Sequence, residues 1–560
     1  MANRIATAPY NFVSLPKGVL TSPIDNDAAS DEERIENYRQ HVLAPNRLSG
    51  RIDLTIETLT SVFVGADAAT ETFFSPTGIP MIPGSTIRGT IKNLFKIVTC
   101  SAMRGGGEDY EDRHLYFRAL GGKGNAAVMR KVYEKRAPKE YTEAGYLIRV
   151  EEEQQYYICP AEYDTVRDAD SVKRNAGCIF WDAPRKGQVT CYTGKMQRKA
   201  HYTVHHAPNW QERIPVPADI IQDYRDDISR AGVNLLGNSV AKMNADAAAF
   251  TGDPAIDLVV PCFYQEENGQ VQHFGFGRFY RIPYRQSVGD HVIGMETAKI
   301  DYTDALFGRK ELWAGRLAFS DALPAGEVRS ESAAYPKVLG EPKPTSMQLY
   351  LEQESGAQLA HWDTPNACIR GYKLYWHQKN KTKWQNDVQQ ATKVSKTRIT
   401  PVQAGSVFHG SIRFERLSED ELGALLKVLR IGGNDLCCKI GKGKSIGLGS
   451  VRITARLIRT DTEDSYRHAF DSTGDWNRAE REEPMDAYIA AFDRELGERL
   501  DAGVHNRYWN AMAELSHMLD WETTTIPDWE KKTRTMTIDD PDHPFQNRWI
   551  LPNALEVKET

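Results

Sequence analysis

The first clear pattern of apolar and polar positions runs from Arg51 to Val98. Residues 51–64 place apolar side chains at nearly alternate positions, which is typical of a β-strand with one buried face. After a loop at 65–78, residues 86–98 repeat apolar side chains every three or four positions, as one buried face of a helix does. These positions are Ile52, Leu54, Ile56, Leu59, Val62 and Val64, then Ile87, Ile91, Leu94, Phe95 and Val98. The pattern therefore predicts a β-loop-α unit.

Residues 104–300 have a different sequence pattern. Aromatic and β-branched runs alternate there with Gly, Pro and Asn. Short runs of this kind predict strands joined in hairpins, with Asn268-Gly269 as a tight turn. We interpret this range as a large, mostly β insertion.

Strand-like runs resume at Ala314 and lead to a helix at 418–429, which Ser418 and Glu421 would begin as a capping box. A strand at 450–457 follows. Strand, helix, strands, helix, strand is the ferredoxin-like order. The sequence therefore predicts an α+β protein with a ferredoxin-like core formed by residues 51–103 and 301–457.

The two ends of the chain differ from this core. Residues 1–50 place four prolines around a short polar helix at 30–41 and predict a surface arm. Residues 458–560 predict a helical C-terminal region, because two apolar stripes recur there at helical spacing. The stripes are Met485, Ile489, Phe492, Leu496 and Leu500, and then Tyr508, Met512, Leu515 and Leu519.

Composition narrows the class of protein. The 560 residues are 41% hydrophobic and 26% charged, which is ordinary for a globular protein of two to four domains. A formal net charge of -6 argues against indiscriminate coating of nucleic acid, so any binding must use a local basic surface. We expect a cytoplasmic protein with no membrane contact, because we find neither a membrane-spanning apolar run nor a signal peptide. The eight scattered cysteines fit reduced thiols.

The first candidate site is the segment IPMIPGSTIRGTIKNLF at 79–95. Gly84 would supply a turn and Ser85 the N-cap of the helix that follows. Arg88, Lys92 and Lys96 recur at four-residue spacing on a second face of that helix. A helix start backed by such a stripe suits a polyanion, although a solvated face on a core helix is the simpler alternative.

The second candidate site is CKIGKGKSIGLGSV at 438–451, where four glycines and two lysines fall within nine residues. Such a loop lets the backbone approach a phosphate without side-chain obstruction. A nucleotide-binding P-loop would need a glycine where this chain has Cys438. A simple glycine hairpin is the remaining alternative, and RNA is the natural ligand for both segments.

Two other groups of residues are open to a functional and to a structural interpretation. Cys178, Cys191, His201 and His205 allow a zinc site, but buried cysteines in strands explain them better. Aromatic residues of the insertion alternate with arginines and allow base stacking, whereas strand packing explains them equally well. That second group is Phe274, Phe276, Phe279, Tyr280 and Tyr284, with Arg278, Arg281 and Arg285.

In order along the chain, IPMIPGSTIRGTIKNLF, then ALFGRKELWAGRLAFSDA at 305–322, then GKGKSIGLGSV together resemble the CRISPR-associated RAMP (repeat-associated mysterious protein) superfamily. Three further segments, APYNFVSL at 8–15, TGKMQRKAHY at 193–202 and HFGFGRFYRIPYRQSVGD at 273–290, resemble a large-insertion branch linked to type III CRISPR systems. The resemblance covers roughly residues 8–457.

This resemblance implies a ferredoxin-like core that assembles along a CRISPR guide RNA. The residues that it assigns to the guide backbone are Ser85, Thr86, Arg88, Lys92, Lys442, Lys444 and Ser445. Some family members also cut target RNA with an acid in the loop after the first strand. Here the matching position is Ala69 or Thr70, with Asp67 and Glu71 nearby as candidate catalytic acids.

We therefore expect a guide-RNA-binding or scaffold component of a type III CRISPR system that needs no cofactor and no metal. Its expected partners are guide RNA and other type III CRISPR proteins, with target RNA or accessory operon proteins as further options. One alternative is a metal-dependent endoribonuclease that uses Asp67 or Glu71. Another is an RNA-free scaffold for accessory or signalling proteins, which the acidic helical tail favours. The RNA interpretation also expects the two glycine-centred segments to lie side by side.

Overall fold

The structure is a computed structural model. It describes residues 5–25, 27–66, 71–120, 127–138, 142–166, 180–185, 188–192, 202–206, 208–228, 230, 234–236, 247–338, 343–354, 358–379, 384–386, 397–467 and 479–557.

The described strands, in chain order, are β1 (Tyr10–Val13), β2 (Leu48–Thr58), β3 (His114–Phe117), β4 (Glu143–Val150), β5 (Gln155–Ala161), β6 (Tyr163–Val166), β7 (Phe180–Arg185), β8 (Gln188–Tyr192), β9 (Tyr202–His205), β10 (Ile214–Val216), β11 (Ile256–Glu267), β12 (Gln270–Gly275), β13 (Ile282–Ser287), β14 (Gly308–Arg309), β15 (Trp313–Ala314), β16 (Leu317–Phe319), β17 (Leu323–Pro324), β18 (Tyr372–Tyr375), β19 (Val407–Leu417), β20 (Leu436–Lys439), β21 (Ser450–Thr460) and β22 (Glu480–Glu483).

The described α-helices are α1 (Asp31–Leu43), α2 (Gly84–Val98), α3 (Val128–Arg136), α4 (Ala218–Asp226), α5 (Ala247–Thr251), α6 (Tyr302–Phe307), α7 (Met347–Tyr350), α8 (Glu419–Leu429), α9 (Thr462–Arg467), α10 (Asp486–Arg499), α11 (Ala502–Leu519) and α12 (Trp529–Lys532). None of the helices in this part of the chain is long and apolar enough to span a membrane.

A central antiparallel sheet organises the molecule. Its strands lie in the order β16-β19-β2-β21-β20, and β17 and β22 pair with β19 and β21 at the margins. One face of β2 carries the alternating apolar residues Ile52, Leu54 and Ile56, all buried. The helices α2 and α8 cover this face and share one core with it, because their apolar stripes point inward. The fold is of mixed α and β type, as predicted.

Helix α8 begins as its sequence predicts. Ser418 is the N-cap, and its amide donates to Oε2 of Glu421 at 2.9 Å, as a capping box requires. Helix α1 covers most of the polar helix predicted at 30–41, and Ser30 caps it by accepting at Oγ from the amide of Glu33 at 3.2 Å.

Three sheets of described strands lie in the range that we interpret as an insertion, and the smallest of them is the pair β3 and β13. Five strands lie in the order β10-β5-β4-β11-β12, and four lie in the order β6-β9-β8-β7. Asn268 and Gly269 join the paired residues Glu267 and Gln270, with φ of 53° and 78°. Two successive positive φ values define the tight hairpin turn, so this prediction is confirmed.

The N-terminal residues are not confined to the surface, contrary to the predicted arm. Strand β1 pairs with β18, and Phe12 and Val13 are buried. The amide of Ala6 also donates to the carbonyl of Ile550 at 2.9 Å. The apolar residues between the prolines are therefore part of the interior, because their burial outweighs the turn-forming tendency of the segment.

The two predicted apolar stripes of the tail form α10 and α11. Helix α10 lies directly against α8, where a side chain at Gly423 would overlap the carbonyl of Tyr488. Helix α11 reaches the core through Tyr508, whose hydroxyl donates to the carbonyl of Val98 at 2.8 Å. Helices α10 and α11 are therefore packed onto the central core.

Candidate nucleic-acid interface

The loop that we call the glycine loop, residues 440–449, connects β20 to β21. Gly441, Gly443, Gly447 and Gly449 all have positive φ, between 71° and 98°. Gly441 is required by close approach, because a side chain there would overlap the carbonyl of Phe63. The amide of Lys442 donates to that same carbonyl at 2.8 Å. The backbone is thus fixed in a shape that side chains at these positions would prevent.

The inside of the glycine loop is filled from two directions. Leu448 is buried in a small apolar cluster with Phe63, Trp384 and Ile399. On the other side Lys439 is 7% exposed, and its Nζ donates to the carbonyls of Lys444 at 3.1 Å and Leu448 at 3.0 Å. The ammonium group of Lys439 therefore joins two carbonyls of the loop from the inside.

The outside of the glycine loop presents the residues expected to contact RNA. Lys442 is exposed, while Lys444 and Ser445 are half-buried. Burial lowers the pKa of Lys444. Because the loop leads into strand β21 and not into a helix, the P-loop alternative is not supported.

The start of α2 differs from its prediction. The helix begins at Gly84 with Pro83 as its cap residue, so Ser85 is an exposed residue of the first turn and not the N-cap. The amide of Gly84 donates to Oδ1 of Asp321 at 2.8 Å. The amides of Thr86 and Ile87 both donate to the carbonyl of Pro83. A carboxylate from a distant segment therefore supplies the cap that the local sequence suggested for Ser85.

The three cations of α2 are engaged within the protein. Arg88 donates to the carbonyl of Phe307 at 3.1 Å and lies over its ring. Lys92 lies 3.6 Å from Glu108. Lys96 is buried and pairs with Glu108 at 3.3 Å and with Asp109 at 2.5 Å. The sequence alone could not show this, because the two acids follow the helix in an irregular segment.

The two glycine-centred segments share one end of the central sheet. Thr58, the last residue of β2, lies opposite Val451, and Lys439 lies opposite Ser450, so the glycine loop projects from the end where β2 stops. The start of α2 lies by the other margin, where Ile82 pairs with Ala322 just after β16. Strands are spaced about 4.8 Å apart, so the five-strand order places these margins about 19 Å apart.

The segment between β2 and α2 bridges this distance. Phe63 accepts from Lys442, the amide of Phe74 donates to Val64 at 2.7 Å, and the amide of Met81 donates to Phe74 at 3.0 Å. The expectation of direct side-by-side contact is thus replaced by a backbone-linked surface along one end of the sheet.

Only one of the two candidate catalytic acids, Glu71, lies among the described residues. Asp67, with Ala69 and Thr70, lies outside the described residues. Glu71 is exposed, and its carbonyl accepts from the amide of Thr400 at 2.8 Å. No group of three or more His, Cys, Asp or Glu that could hold a metal occurs among the described residues. Catalysis by Asp67 or Glu71 stays a prediction.

Two of the four residues of the zinc alternative, Cys178 and His201, lie outside the described residues. Cys191 and His205 lie opposite each other on β8 and β9. The Nε2 of His205 lies 3.0 Å from the carbonyl of Cys262. Burial lowers the pKa of His205 to about 4, which keeps the imidazole neutral within an apolar site.

The aromatic residues of the insertion are chiefly packing residues. Phe274, Tyr280 and Tyr284 are buried. Phe274 stacks on Tyr224 with ring centroids 4.5 Å apart, and Tyr284 stacks on Phe117 at 4.3 Å. Arg281 pairs with Asp227 at 2.8 Å. The strand-packing interpretation therefore accounts for these residues.

The open face of the central sheet carries charged pairs of both signs. Arg51 lies 2.9 Å from Asp53, and Arg452 lies 3.2 Å from Glu57. Arg51 and Arg452 are thus paired with carboxylates on the same or the neighbouring strand and are partly neutralised, which makes them weaker candidates for phosphate contact.

Sequence reasoning missed the structural role of the segment at 305–322. Arg316 forms a two-pronged ion pair with the fully buried Glu421, in which Nη1 lies 2.9 Å from Oε2. The same segment supplies Asp321 to the start of α2. An arginine between two strand-like runs is a weak signal by itself, because its partner is far away along the chain.

One protein-family model matches a part of the chain. Residues 55–155 match the model of the RAMP superfamily. No curated protein matches the chain. Similar solved structures include type III-B Cmr-beta bound to cognate target RNA, at 10% identity and a TM-score of 0.17, covering 73% of this chain and 98% of that one. Csc2 of Thermofilum pendens has 10% identity and a TM-score of 0.16, covering 69% of this chain and 90% of that one.

The TM-scores of both structures are too low to assign a fold. The family match is independent of them and contains the whole of α2 together with its Pro-Gly-Ser entry. The resemblance of this chain to the RAMP superfamily is thereby confirmed through residues 55–155.

Proposed function

We propose that this protein is an RNA-binding component of a type III CRISPR system and contacts guide RNA through its glycine loop. The observation that carries the proposal is the geometry of that loop. Left-handed glycines fix its backbone, Lys442 is exposed on it, and a buried ammonium lies beneath it. Exposed backbone and lysine side chains bind phosphates without reading bases, which suits a guide whose specificity comes from base pairing.

The central sheet would serve as a ferredoxin-like core. In chain order, the first to fourth strands of this core are β2, β16, β19 and β21. Across the sheet they lie in the order second, third, first, fourth. Helix α2 follows the first strand and helix α8 the third. This order supports the βαββαβ arrangement that the sequence predicts.

Within this proposal, the contribution of α2 is limited. Lys92 and Arg88 are already engaged by Glu108 and Phe307, so RNA would have to compete with contacts inside the protein. Ser85 and Thr86 remain at the surface of the first helical turn, where they could donate to a phosphate oxygen. Their contribution is expected to be secondary.

The salt dependence of binding tests the proposal. The full chain with Lys442→Met and Lys444→Met should bind a labelled single-stranded RNA roughly tenfold more weakly near 0.15 M salt, because each phosphate contact releases counterions. The slope of log K against log salt should become shallower by about 1.4. Fluorescence anisotropy at several salt concentrations measures both quantities.

A matched control removes two lysines elsewhere. Lys299 and Lys531 are exposed and each pairs with an aspartate. The Lys299→Met/Lys531→Met variant should retain the salt slope of the parent protein. Equal losses in both double variants would show general electrostatic attraction and would reject the glycine loop as the site.

Nucleic acid carried by the native complex gives an independent test. A guide-binding component purified from its own cells should yield short RNA of defined length on extraction. Recovery of the protein complex without such RNA would instead favour the RNA-free scaffold.

A further inference from the structure

The lysine beneath the glycine loop has an unusual environment for a charged group. Lys439 is the last residue of β20, and its side chain points into the loop, where two carbonyls accept from its Nζ. Among the residues that the structure describes, no carboxylate pairs with this ammonium. A buried charge without a counter-charge destabilises a protein, so its presence calls for an explanation.

The titratable groups around Lys439 do not supply that counter-charge. Lys444 and Lys442 on the loop are cationic, and Cys438 beside it in β20 is a buried thiol whose pKa is raised to about 12 by burial. On the neighbouring segments, His377 lies 3.0 Å from Ser450 Oγ, and burial lowers its pKa to about 3. The carboxylate of Glu331 is engaged elsewhere, because it accepts from Ser61 Oγ at 2.8 Å.

The ammonium of Lys439 lies directly beneath the part of the loop whose outer surface carries the candidate RNA contacts. Both carbonyls that it holds belong to the stretch that carries Lys444 and Ser445. A phosphate bound on the outside would therefore lie across one layer of backbone from Lys439. Opposite charges at such a separation attract more strongly through protein than through water.

We propose that Lys439 is a positioning residue for phosphodiester binding, held inside the glycine loop by two carbonyls and receiving its counter-charge from the RNA backbone outside. This inference rests on the proposed function. Protonation of Lys439 and binding of RNA then favour each other, because each supplies the charge that the other lacks.

Burial, followed by the charge of Lys444, lowers the pKa of Lys439 to about 7. A bound phosphate would raise this pKa again. Affinity should therefore fall as pH rises above 7. A rise of one unit in the pKa on binding corresponds to about a tenfold loss of affinity across the titration.

Anisotropy titrations of the full chain between pH 6.5 and 9.0, with a mixed-sequence 30-nucleotide RNA carrying a pH-insensitive dye, test the inference. The parent protein should lose about tenfold in affinity over this range. Lys439→Met should bind more weakly at pH 6.5 and lose most of the pH dependence. An unchanged pH profile in Lys439→Met, or none in the parent protein, would overturn the inference.

Lys442→Met is the matched control, because Lys442 lies on the outside of the same loop. It should weaken binding at every pH and keep the pH profile of the parent protein. If Lys442→Met and Lys444→Met both bind RNA as tightly as the parent protein, the proposed function itself fails. The two failures are thus distinguishable.

Calorimetry on the unmodified protein covers the case in which Lys439→Met does not fold. Binding enthalpies measured at pH 7.5 in two buffers of different ionisation enthalpy give the number of protons taken up with RNA. The inference expects net uptake of a fraction of a proton. Zero uptake, or release, would overturn it.

Discussion

At the scale of single residues, the buried carboxylate of Glu421 shows how close pairing stabilises a charge inside this protein. Glu421 is fully buried, accepts from Arg316, and has Oε1 3.1 Å from Nε2 of His41. Burial by itself would raise the pKa of this carboxyl. Arg316 and His41 lower the pKa by more than burial raises it, so the net pKa lies well below its usual range. Its contribution to stability is therefore present above about pH 4.5 and is lost as pH falls below that value.

Replacement of Arg316 by Met should destabilise the protein by about 3–5 kcal/mol at pH 7, because Glu421 would remain buried without its counter-charge. The loss should shrink toward pH 4, where Glu421 can take up a proton in the variant. Urea unfolding at the two pH values measures both effects. Arg413→Met is the control, since Arg413 is exposed, and it should change stability by no more than about 0.5 kcal/mol.

At the scale of elements, the contact between α8 and α10 depends on the absence of one side chain. Gly423 lies in the middle of α8, where glycine weakens a helix, and α10 uses the space that a side chain would fill. Phe492 and Leu496 of α10 are thereby buried against the core.

Gly423→Ala should therefore destabilise the protein by about 1–3 kcal/mol, although alanine favours helices, because α10 would have to move. Gly497→Ala is the matched control within α10. A side chain at Gly497 would meet nothing within 4 Å, so the same change should stabilise by up to about 1 kcal/mol. Thermal unfolding of the two variants should thus shift in opposite directions, and a shared direction would contradict the packing described.

Elements defined by local pattern were predictable from the sequence. Helix α1, helix α8, the Asn268-Gly269 turn and the helices of the tail all follow from residues within a few positions of one another. Partners distant along the chain were not predictable. Asp321 caps α2 from 237 positions away, and β1 pairs with β18.

The same distinction applies to the candidate site. The glycines and the exposure of Lys442 follow from the sequence, because glycine-rich turns lie at surfaces. The pairing of Lys96 with Asp109 and the inward direction of Lys439 depend on tertiary packing. The number of cationic side chains can be read from a single sequence. Which of them are neutralised by carboxylates in the folded protein cannot.

At the scale of the whole molecule, one buried carboxylate connects segments from both ends of the chain. Glu514 of α11 accepts from the amide of Ser14 at 2.6 Å and from Nδ2 of Asn553 at 2.5 Å. It also accepts from Asn510 of the same helix at 3.1 Å. The N-terminal strand and the last described turn are therefore held to the core at one point.

Glu514→Gln should lower the free energy of unfolding by about 2–4 kcal/mol, because an amide group would face several donors and leave at least one unpaired. Glu498→Gln on the exposed surface of α10 is the matched control and should be nearly neutral. Limited proteolysis should then release fragments from both ends of the Glu514 variant together. Release from one end alone would contradict a shared anchor.

The distance across the central sheet has a consequence for the length of RNA that this surface can use. The glycine loop and the first turn of α2 lie at opposite margins of five strands, about 19 Å apart. A stacked strand advances about 3.4 Å per nucleotide, so roughly six nucleotides are needed to reach from one to the other. Shorter oligonucleotides would bind at one margin only, and affinity should increase stepwise once the oligomer is long enough to engage both.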